Sequence, residues 1–529
     1  MAWNEARARK RIQDDMKKAP QVEVSRFSDE YLPQYRAKLQ LLTESSDKAS
    51  PPLFDLPKGK AVLVDTVQIY IQITNYDEFR LSEGRETEPS HERALRFLHL
   101  YYSACDRVAE FTAAQRVDFH GARMHAVVLD QSGTGVTQET LNKAFDFVQS
   151  FRAVAAEANK ALANSNFTAR FRIGIDAGRC VAINNGTGQE QEPLFLGSAA
   201  NHAAKLAAGE TPGVFVSDNV RAILGDPMRG PLAFNEMVDE RRFSLLADQG
   251  QSAFRATMPS ALSQADIVER WRTDILEERA FNPTTPRFTF HHKTPPLKDI
   301  DFSEVSPSKS IRMPLMSAYA DLDGYTAYID SCISKGQVGD AVRALFVVRN
   351  EFQKVVENDF GGRKIRFVGD CIHAVLAEGD TTSSNAEQTA KTGAQCAGAI
   401  RSSFKLCQEE LGCIDALGLA IGLEYGTTPI SKIGIRGDRA VRVASSIATT
   451  TSEMLQSECG GDQTKFGPRA VAAMSSDIKK LIGHDGVVED LVYDDVATVS
   501  TTGDEAVAAP YYARAHTQSE VPRAHFKTE

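Results

Sequence analysis

The sequence predicts an α/β fold, an α+β unit built twice over. Two observations carry this. β-branched apolar runs alternate with helical stretches, and four short motifs recur in the same order in the two halves. With 529 residues the chain has room for two to four domains, at roughly 100–200 residues each. Apolar residues at 42% and charged residues at 25% exclude wholesale disorder. A net charge of −10, from 60 basic and 70 acidic residues, argues against a dedicated nucleic-acid binder. It leaves open a protein that holds one nucleotide through metal ions.

Residues 1–55 are charged and end in the proline-bearing SPPLFDLPKGK, which reads as a helical arm with a linker. The first unit spans 56–260. It opens on the buried-strand composition AVLVDTVQIYIQI, continues through helical text at 91–114 and 137–163, then the strand-like FRIGIDAGRCVAI (171–183) and the helix-like GSAANHAAKLAAG (197–209). A connector, 261–312, joins a helix over 265–280 to a proline-rich run. The second unit spans 313–500, and 501–529 is a tail.

No run of about 18 apolar residues is present, so no membrane span is expected. The charged N-terminus lacks a signal-peptide core. The eight cysteines form no CxxC pair and read as reduced, packed thiols. The expectation is a cytoplasmic protein. The basic run RARKRIQ (7–13) reads as a solvated helix face.

Motif matching sets VLVDTVQIYI over SAYADLDGYTAY, with Asp65 over Asp321. It sets FHGARMHAVVL over FVGDCIHAVLA, with Ala122 over Asp370, and RIGIDAG (172–178) over AIGLEYG (420–426). NHAAKL (201–206) falls over RVASSI (442–447). Each copy is an alternating strand–helix unit.

The sharpest chemical signal is the pair Asp321 and Asp370. The first ends an apolar strand and opens the tight DLDGYT turn into a helix; the second follows Gly369 at a hairpin. Carboxylates at the ends of adjacent strands suit two hard divalent cations held about 3.5–4 Å apart. Gly324 and the amides of Tyr325 and Thr326, at a helix start, suit a phosphate. Singly, Asp321 could be a helix cap and Asp370 a turn residue; the shared order of motifs favours the paired reading.

DLDGYT, FVGDCIHAV and IGL-x-x-G, with RIGI-x-x-G and FLGSAANHAAKL in the first copy, resemble the class III nucleotidyl cyclase domain. The resemblance covers roughly 57–260 and 313–500. It implies two ferredoxin-like cyclase domains packed as an intramolecular pseudo-dimer. It also implies two ions per site, Mn²⁺ or Mg²⁺, held by Asp321, Asp370 and the Leu322 carbonyl. The triphosphate would lie on Leu322, Gly324, Tyr325 and Thr326. From the first copy, Asn201 would orient the ribose and Lys205, where the family usually has Arg, would meet the transferring phosphoryl group. The opposite site would pair Asp65 and Ala122 with Arg442 and Ser446 and be dead, with Arg366 facing it. Thr427 stands where a triphosphate-binding Arg often follows the Gly; Arg179 lies in the wrong half, and Lys432 is a thin substitute.

In the same family, purine cyclases read the base at positions that fall here on Asp118 and Leu194. Leu194 cannot hydrogen-bond a purine edge, and Asp118 is not the usual lysine. Asp118 could accept from uracil N3–H or the cytosine amine, mimic a guanylate-type Glu, or be a plain strand residue. The two-copy layout without a sensor resembles the bacterial pyrimidine cyclases of antiphage defence. That implies a UTP substrate, with CTP or a purine as alternatives, and a separate effector that binds the cyclic product. It also leaves open a homo-oligomer, or an inactive nucleotide sensor. His291, His292 and His373 lack partners at helical spacing and read as structural or solvent-facing.

Overall fold

The computed structural model describes residues 3–45, 50–161, 168–184, 192–232, 236–258, 261–277, 288–434, 440–482 and 485–498. The tail expected at 501–529 lies outside the described residues. Two mixed sheets form, one in each half.

The first sheet holds β1 (Glu23–Arg26), β2 (Lys60–Ile73), β3 (Gln115–His120), β4 (Arg123–Leu129), β5 (Phe171–Asn184), β6 (Pro193–Leu196) and β7 (Gly213–Val216). Its spine runs β3-β4-β2-β5-β6, with β1 on β2 and β7 on β5. The second sheet holds β8 (Phe290–His292), β9 (Ser310–Asp323), β10 (Arg363–Val368), β11 (Cys371–Leu376), β12 (Gly418–Ile433), β13 (Val441–Ala444), β14 (Gln463–Phe466) and β15 (Val487–Glu489). Its spine runs β10-β11-β9-β12-β14-β15, with β13 on β12 and β8 on β9.

Alternation along the central strands decides which face each helix covers. Val67, Ile69 and Ile71 of β2 pack on the helices Glu88–Phe111 and Gln138–Ala161. Ala318, Ala320 and Leu322 of β9 pack on Val338–Lys354 and Ala386–Leu411. Tyr319 and Asp321, the intervening residues, therefore project from the opposite face.

The N-terminal segment is built into both halves. β1 extends the first sheet by parallel pairing with β2. The helix Glu5–Lys18 buries Ala8 and Ile12 in the second core. Its basic run is not a solvated face: Arg7 meets Asp359 at 2.7 Å, Arg9 meets Glu410 at 2.7 Å and Arg11 meets Glu351 at 2.6 Å. Glu351 is fully buried, so this charge needs a partner and the arm supplies it. In the connector, a helix forms over Gln264–Glu277 and β8 pairs with the start of β9.

Strand register revises two of the motif pairings. On β5, Arg172 faces Gln72; on β12, Ala420 faces Asp321. Since Arg172 and Ala420 are equivalent, Gln72 and not Asp65 occupies the Asp321 position (321 − 72 = 249, beside 370 − 122 = 248). Asp65 lies seven residues earlier, and an odd shift turns a side chain to the other face. It pairs with Arg179 at 3.0 Å. Likewise, a Cβ on Gly174 would meet Ala203 O at 2.2 Å, and one on Gly422 would meet Ser452 O at 2.2 Å. Both glycines let a helix lie directly on its strand. This contact matches helix Ser198–Ala207 to helix Ile447–Ser457 and puts Thr450 and Met454, not Arg442 and Ser446, opposite Asn201 and Lys205. Arg442 sits on β13, and Ser446 caps the Ile447–Ser457 helix through its side chain.

Candidate active site

Asp321 stands near the end of β9, and Asp370 stands in the turn between β10 and β11. β11 pairs with β9, which brings both carboxylates to one edge of a cleft. Gly324 adopts φ +81°, the left-handed geometry that lets the chain turn sharply from β9 into the helix Tyr325–Lys335. Gly324, Tyr325 and Thr326, at the start of that helix, line the cleft, and a helix start is a place that favours a phosphate. Leu322 is packed into the core by its side chain. Its main chain belongs to β9, paired with Leu419, two residues before the Gly324 turn.

The first half meets this turn directly. Asn201 Nδ2 donates to Thr326 Oγ1 at 3.0 Å. Ser198, at the start of the same helix, donates its amide to Asp330 Oδ1 at 3.1 Å, and its hydroxyl donates to the other oxygen of that carboxylate. Lys205 follows Asn201 by one helical turn, on the helix that meets Thr326 and Asp330, and lines the broad cleft shared by the two halves. The two halves thus meet at the start of the helix that follows the aspartate turn.

The two aspartates are electrostatically costly as they stand. Burial, then the nearby Asp370 and Asp323 charges, hold the Asp321 carboxyl well above the ordinary carboxylate range. Burial pushes Asp370 up to about 6. Gln456 Nε2 lies 3.4 Å from Asp321 Oδ2, a weak contact for a carboxylate in such a place. No group of three or more His, Cys, Asp or Glu side chains that could hold a metal ion occurs among the described residues. A pair of hard oxygen donors in excess of its counter-charge, beside a main-chain turn, nevertheless suits a divalent cation that takes its remaining ligands from substrate and water. The residues present fit such an ion.

Asp118, on β3, and Leu194, on β6, line the same cleft. Asp118 is not free. Arg366, from β10 of the other half, donates to its carboxylate and to the Phe119 carbonyl. Instead of facing the opposite site, as the motif order implies, Arg366 crosses the interface to Asp118. The sequence could not show this pairing, because the two residues occupy equivalent positions in separate copies and meet only when the copies pack. Leu194 offers the cleft an apolar surface alone.

At the opposite site the protein's own side chains pair with one another. Gln72 and Ala122 stand at the metal positions, and Arg123 Nε donates to Gln72 Oε1 at 3.0 Å. Glu453 takes Arg123 at 3.0 Å and His120 at 3.3 Å. Burial alone would raise the Glu453 carboxyl, but Arg123 and His120 outweigh it and bring it down to about 2. Arg80, 2% exposed, donates to Thr450 Oγ1 at 2.5 Å and to Ser446 O at 2.6 Å. Asn75, with φ −113°, replaces the glycine of the turn. Restoring both carboxylates by Gln72→Asp with Ala122→Asp therefore creates no second site. Equilibrium dialysis with a non-cyclising triphosphate analogue should still give one equivalent per chain.

Of the three histidines singled out, His373 is buried and His291 and His292 are exposed. His373 stacks on Tyr319 with ring centres 4.2 Å apart, and burial holds it well below its ordinary value. His292 meets Glu88 at 2.7 Å.

A head-to-tail pair of sheet domains with a two-aspartate turn on one side and an amide and an ammonium on the other defines a class III cyclase arrangement. Comparison with known proteins agrees, although no family model matches the chain. A uridylate cyclase from a Rhizobium species is 43% identical over 488 residues, 91% of this chain and 92% of the relative. A uridylate cyclase from Pseudomonas aeruginosa is 34% identical over 474 residues, 88% of this chain and 89% of the relative. The crystal structure of a class III adenylyl cyclase-like ATP-binding protein from Pseudomonas aeruginosa matches with a TM-score of 0.82 at 30% identity, covering 94% of this chain and 100% of that one. The chain belongs to the class III nucleotidyl cyclase family and is a nucleotidyl cyclase. No helix among the described residues is long and apolar enough to cross a membrane.

Proposed function

We propose that the chain converts UTP to 3′,5′-cyclic UMP and pyrophosphate. The observation that carries this reading is the pair of full-length relatives named uridylate cyclase. The cleft supports it. Leu194 gives a purine edge no hydrogen bond, and Asp118, oriented by Arg366, keeps acceptor capacity for a pyrimidine N–H.

In this reading Asp321, Asp370 and the Leu322 carbonyl hold Mn²⁺ or Mg²⁺, two ions when the site is full. When bound, the ions supply positive charge that acidifies the ribose 3′-hydroxyl and offsets the triphosphate. The protein does the rest. The Leu322–Thr326 turn seats the phosphates on main-chain amides. Asn201, braced against Thr326, orients the ribose so that its 3′-oxygen lies in line with the α-phosphorus. Lys205 sets an ammonium where charge gathers as the P–O bond to pyrophosphate breaks. A lysine is a point charge and not a planar fork, so it imposes less on phosphoryl geometry than arginine would.

The domain boundaries expected from the sequence, 56–260 and 313–500, enclose one half-site each. The wider role that goes with this reading is a second messenger in bacterial antiphage defence. It would be made in the cytoplasm, act through a separate cyclic-nucleotide-binding effector, and come from an enzyme able to self-associate. Incubation with UTP, CTP, ATP and GTP in Mn²⁺, followed by chromatography, tests the substrate. Cyclic UMP as the dominant product is expected. A purine product would overturn the pyrimidine assignment, and no product from any of the four would favour a nucleotide sensor.

A further inference from the structure

Beneath the phosphate turn lies a buried cation that the scheme above does not use. Arg349 sits on the helix Val338–Lys354 and is 3% exposed. Its guanidinium lies 4.5 Å from the centre of the Phe367 ring, on the strand that runs into the Gly369–Asp370 turn. None of its three nitrogens has a hydrogen-bond partner among the described residues, and neither does the Tyr325 hydroxyl. The groups whose charge it feels are Glu192 from the first half, Tyr325, Asp370 and Cys371, and it bears on Asp321 as well.

An arginine is normally buried where its planar fork can be satisfied. Here none of the fork's nitrogens is hydrogen-bonded among the described residues, and the Phe367 ring is the guanidinium's direct contact. Burying an unpaired charge is among the costliest things a core can do. What offsets it is the negative charge around it, Glu192 of the first half foremost and then Asp370; Arg349 in turn is the cation that bears on both Asp321 and Asp370. Other basic side chains of the cleft are committed elsewhere or stand on the far wall: Arg366 is bound to Asp118, and Lys205 belongs to the facing helix.

We propose that Arg349 is the built-in counter-cation of the Asp321/Asp370 site, holding the two carboxylates together while the site is empty and weakening its grip on a bare divalent cation. This rests on the assignment of those aspartates as cation ligands under the proposed function. A bare cation meets a site whose charge is already part-cancelled and is repelled by the guanidinium. A cation that arrives on a triphosphate brings negative charge that the same guanidinium attracts. Arg349 thus favours joint entry of cation and nucleotide. It is a positioning residue that acts through Asp370 and the turn, in the manner of the outer partners that tune metal ligands elsewhere.

The test is Mn²⁺ binding to the full chain without nucleotide, followed by the electron paramagnetic resonance of free ion. Four proteins are compared: native, Arg349→Met, Arg349→Lys and Asp370→Asn. Arg349→Met should bind Mn²⁺ about tenfold more tightly, because a like charge near a divalent ion has gone. Arg349→Lys should stay near the native value, and Asp370→Asn should lose the site. Equal or weaker binding in Arg349→Met, with native circular dichroism, overturns the proposal. If that variant is too unstable when empty, its rise in melting temperature on adding Mn²⁺ must exceed the native rise, and an equal or smaller rise overturns the proposal too. Native binding that ignores Asp370→Asn removes the ligand assignment, and this inference with it. Asp370-dependent binding unchanged in Arg349→Met removes this inference alone.

Discussion

Asp370→Asn should lower kcat by about a thousandfold or more and, in the same protein, stabilise the cation-free chain. The first effect follows from losing a ligand to ions that supply several kcal/mol of transition-state stabilisation. The second follows from the empty site itself. Burial pushes Asp370 up to about 6, and burial, then the Asp370 and Asp323 charges, hold Asp321 well above the ordinary carboxylate range. The folded state therefore grips the Asp370 proton more tightly than the unfolded chain, whose carboxyl titrates near about 3.9. The sign of the linkage is fixed by that order: the cation-free protein gains stability as pH falls through about 6 and loses it as pH rises through the same region. At neutral pH the ionised side chain costs on the order of 2 kcal/mol, discounted for its partial contact with the cleft. An amide of the same shape escapes that cost.

Thermal melts at pH 5 and pH 8, with and without Mn²⁺, check this. Without the ion, Asp370→Asn should melt above native at pH 8, and the gap should shrink to about half at pH 5, because the unfolded carboxyl still titrates below that pH. With saturating Mn²⁺ the order at pH 8 should reverse, because only the native chain gains from the ion. A variant that loses activity and also melts below native without ion would mark Asp370 as a structural turn residue. Asp321→Asn should behave alike, since burial and both acidic neighbours raise its carboxyl too.

Much of this site is legible in the sequence because its residues sit in short contiguous motifs. DLDGYT carries strand end, turn glycine and helix start within six residues, and Asp370 follows a glycine at a hairpin. Apolar periodicity likewise places β2, β5 and β9. Register is what motif matching misses. Identity of side chain sets Asp65 over Asp321, although the strand's alternation sends it to the other face and Gln72 to the site. The counterparts of Asn201 and Lys205 in the second copy are displaced for a related reason: helix position is fixed by the glycine contact on the strand, which no local motif records.

Contacts between distant segments are not legible either. Arg366 with Asp118 and Arg7 with Asp359 join residues hundreds of positions apart. Taken alone, each reads as a surface or strand residue. Arg349 does leave a trace: a charge on the buried face of ALFVVRNEF, where helical periodicity asks for an apolar side chain. A residue that breaks the pattern of its own helix marks either a flaw or a function, and its place beside Asp370 favours the second.

Lys205→Ala should lower kcat by about 10²–10³ while the KM for the triphosphate shifts by less than about threefold. The split is expected because the lysine comes from the wall opposite the phosphate turn. The turn and the aspartates bind the triphosphate in its ground state. The ammonium matters most when negative charge moves onto the oxygens of the transferring group, and an interaction made only then appears in kcat. Asn201→Ala should cost a similar amount in kcat, since it also releases the 3.0 Å bond to Thr326 that fixes the two halves against each other at the reacting centre. Lys205→Arg keeps the charge and offers a fork, so it should retain activity within about tenfold. Steady-state kinetics with cyclic product quantified by chromatography would check all three. If Lys205→Ala raises KM and spares kcat, the ammonium is a ground-state phosphate contact and the transition state draws its charge from elsewhere in the cleft.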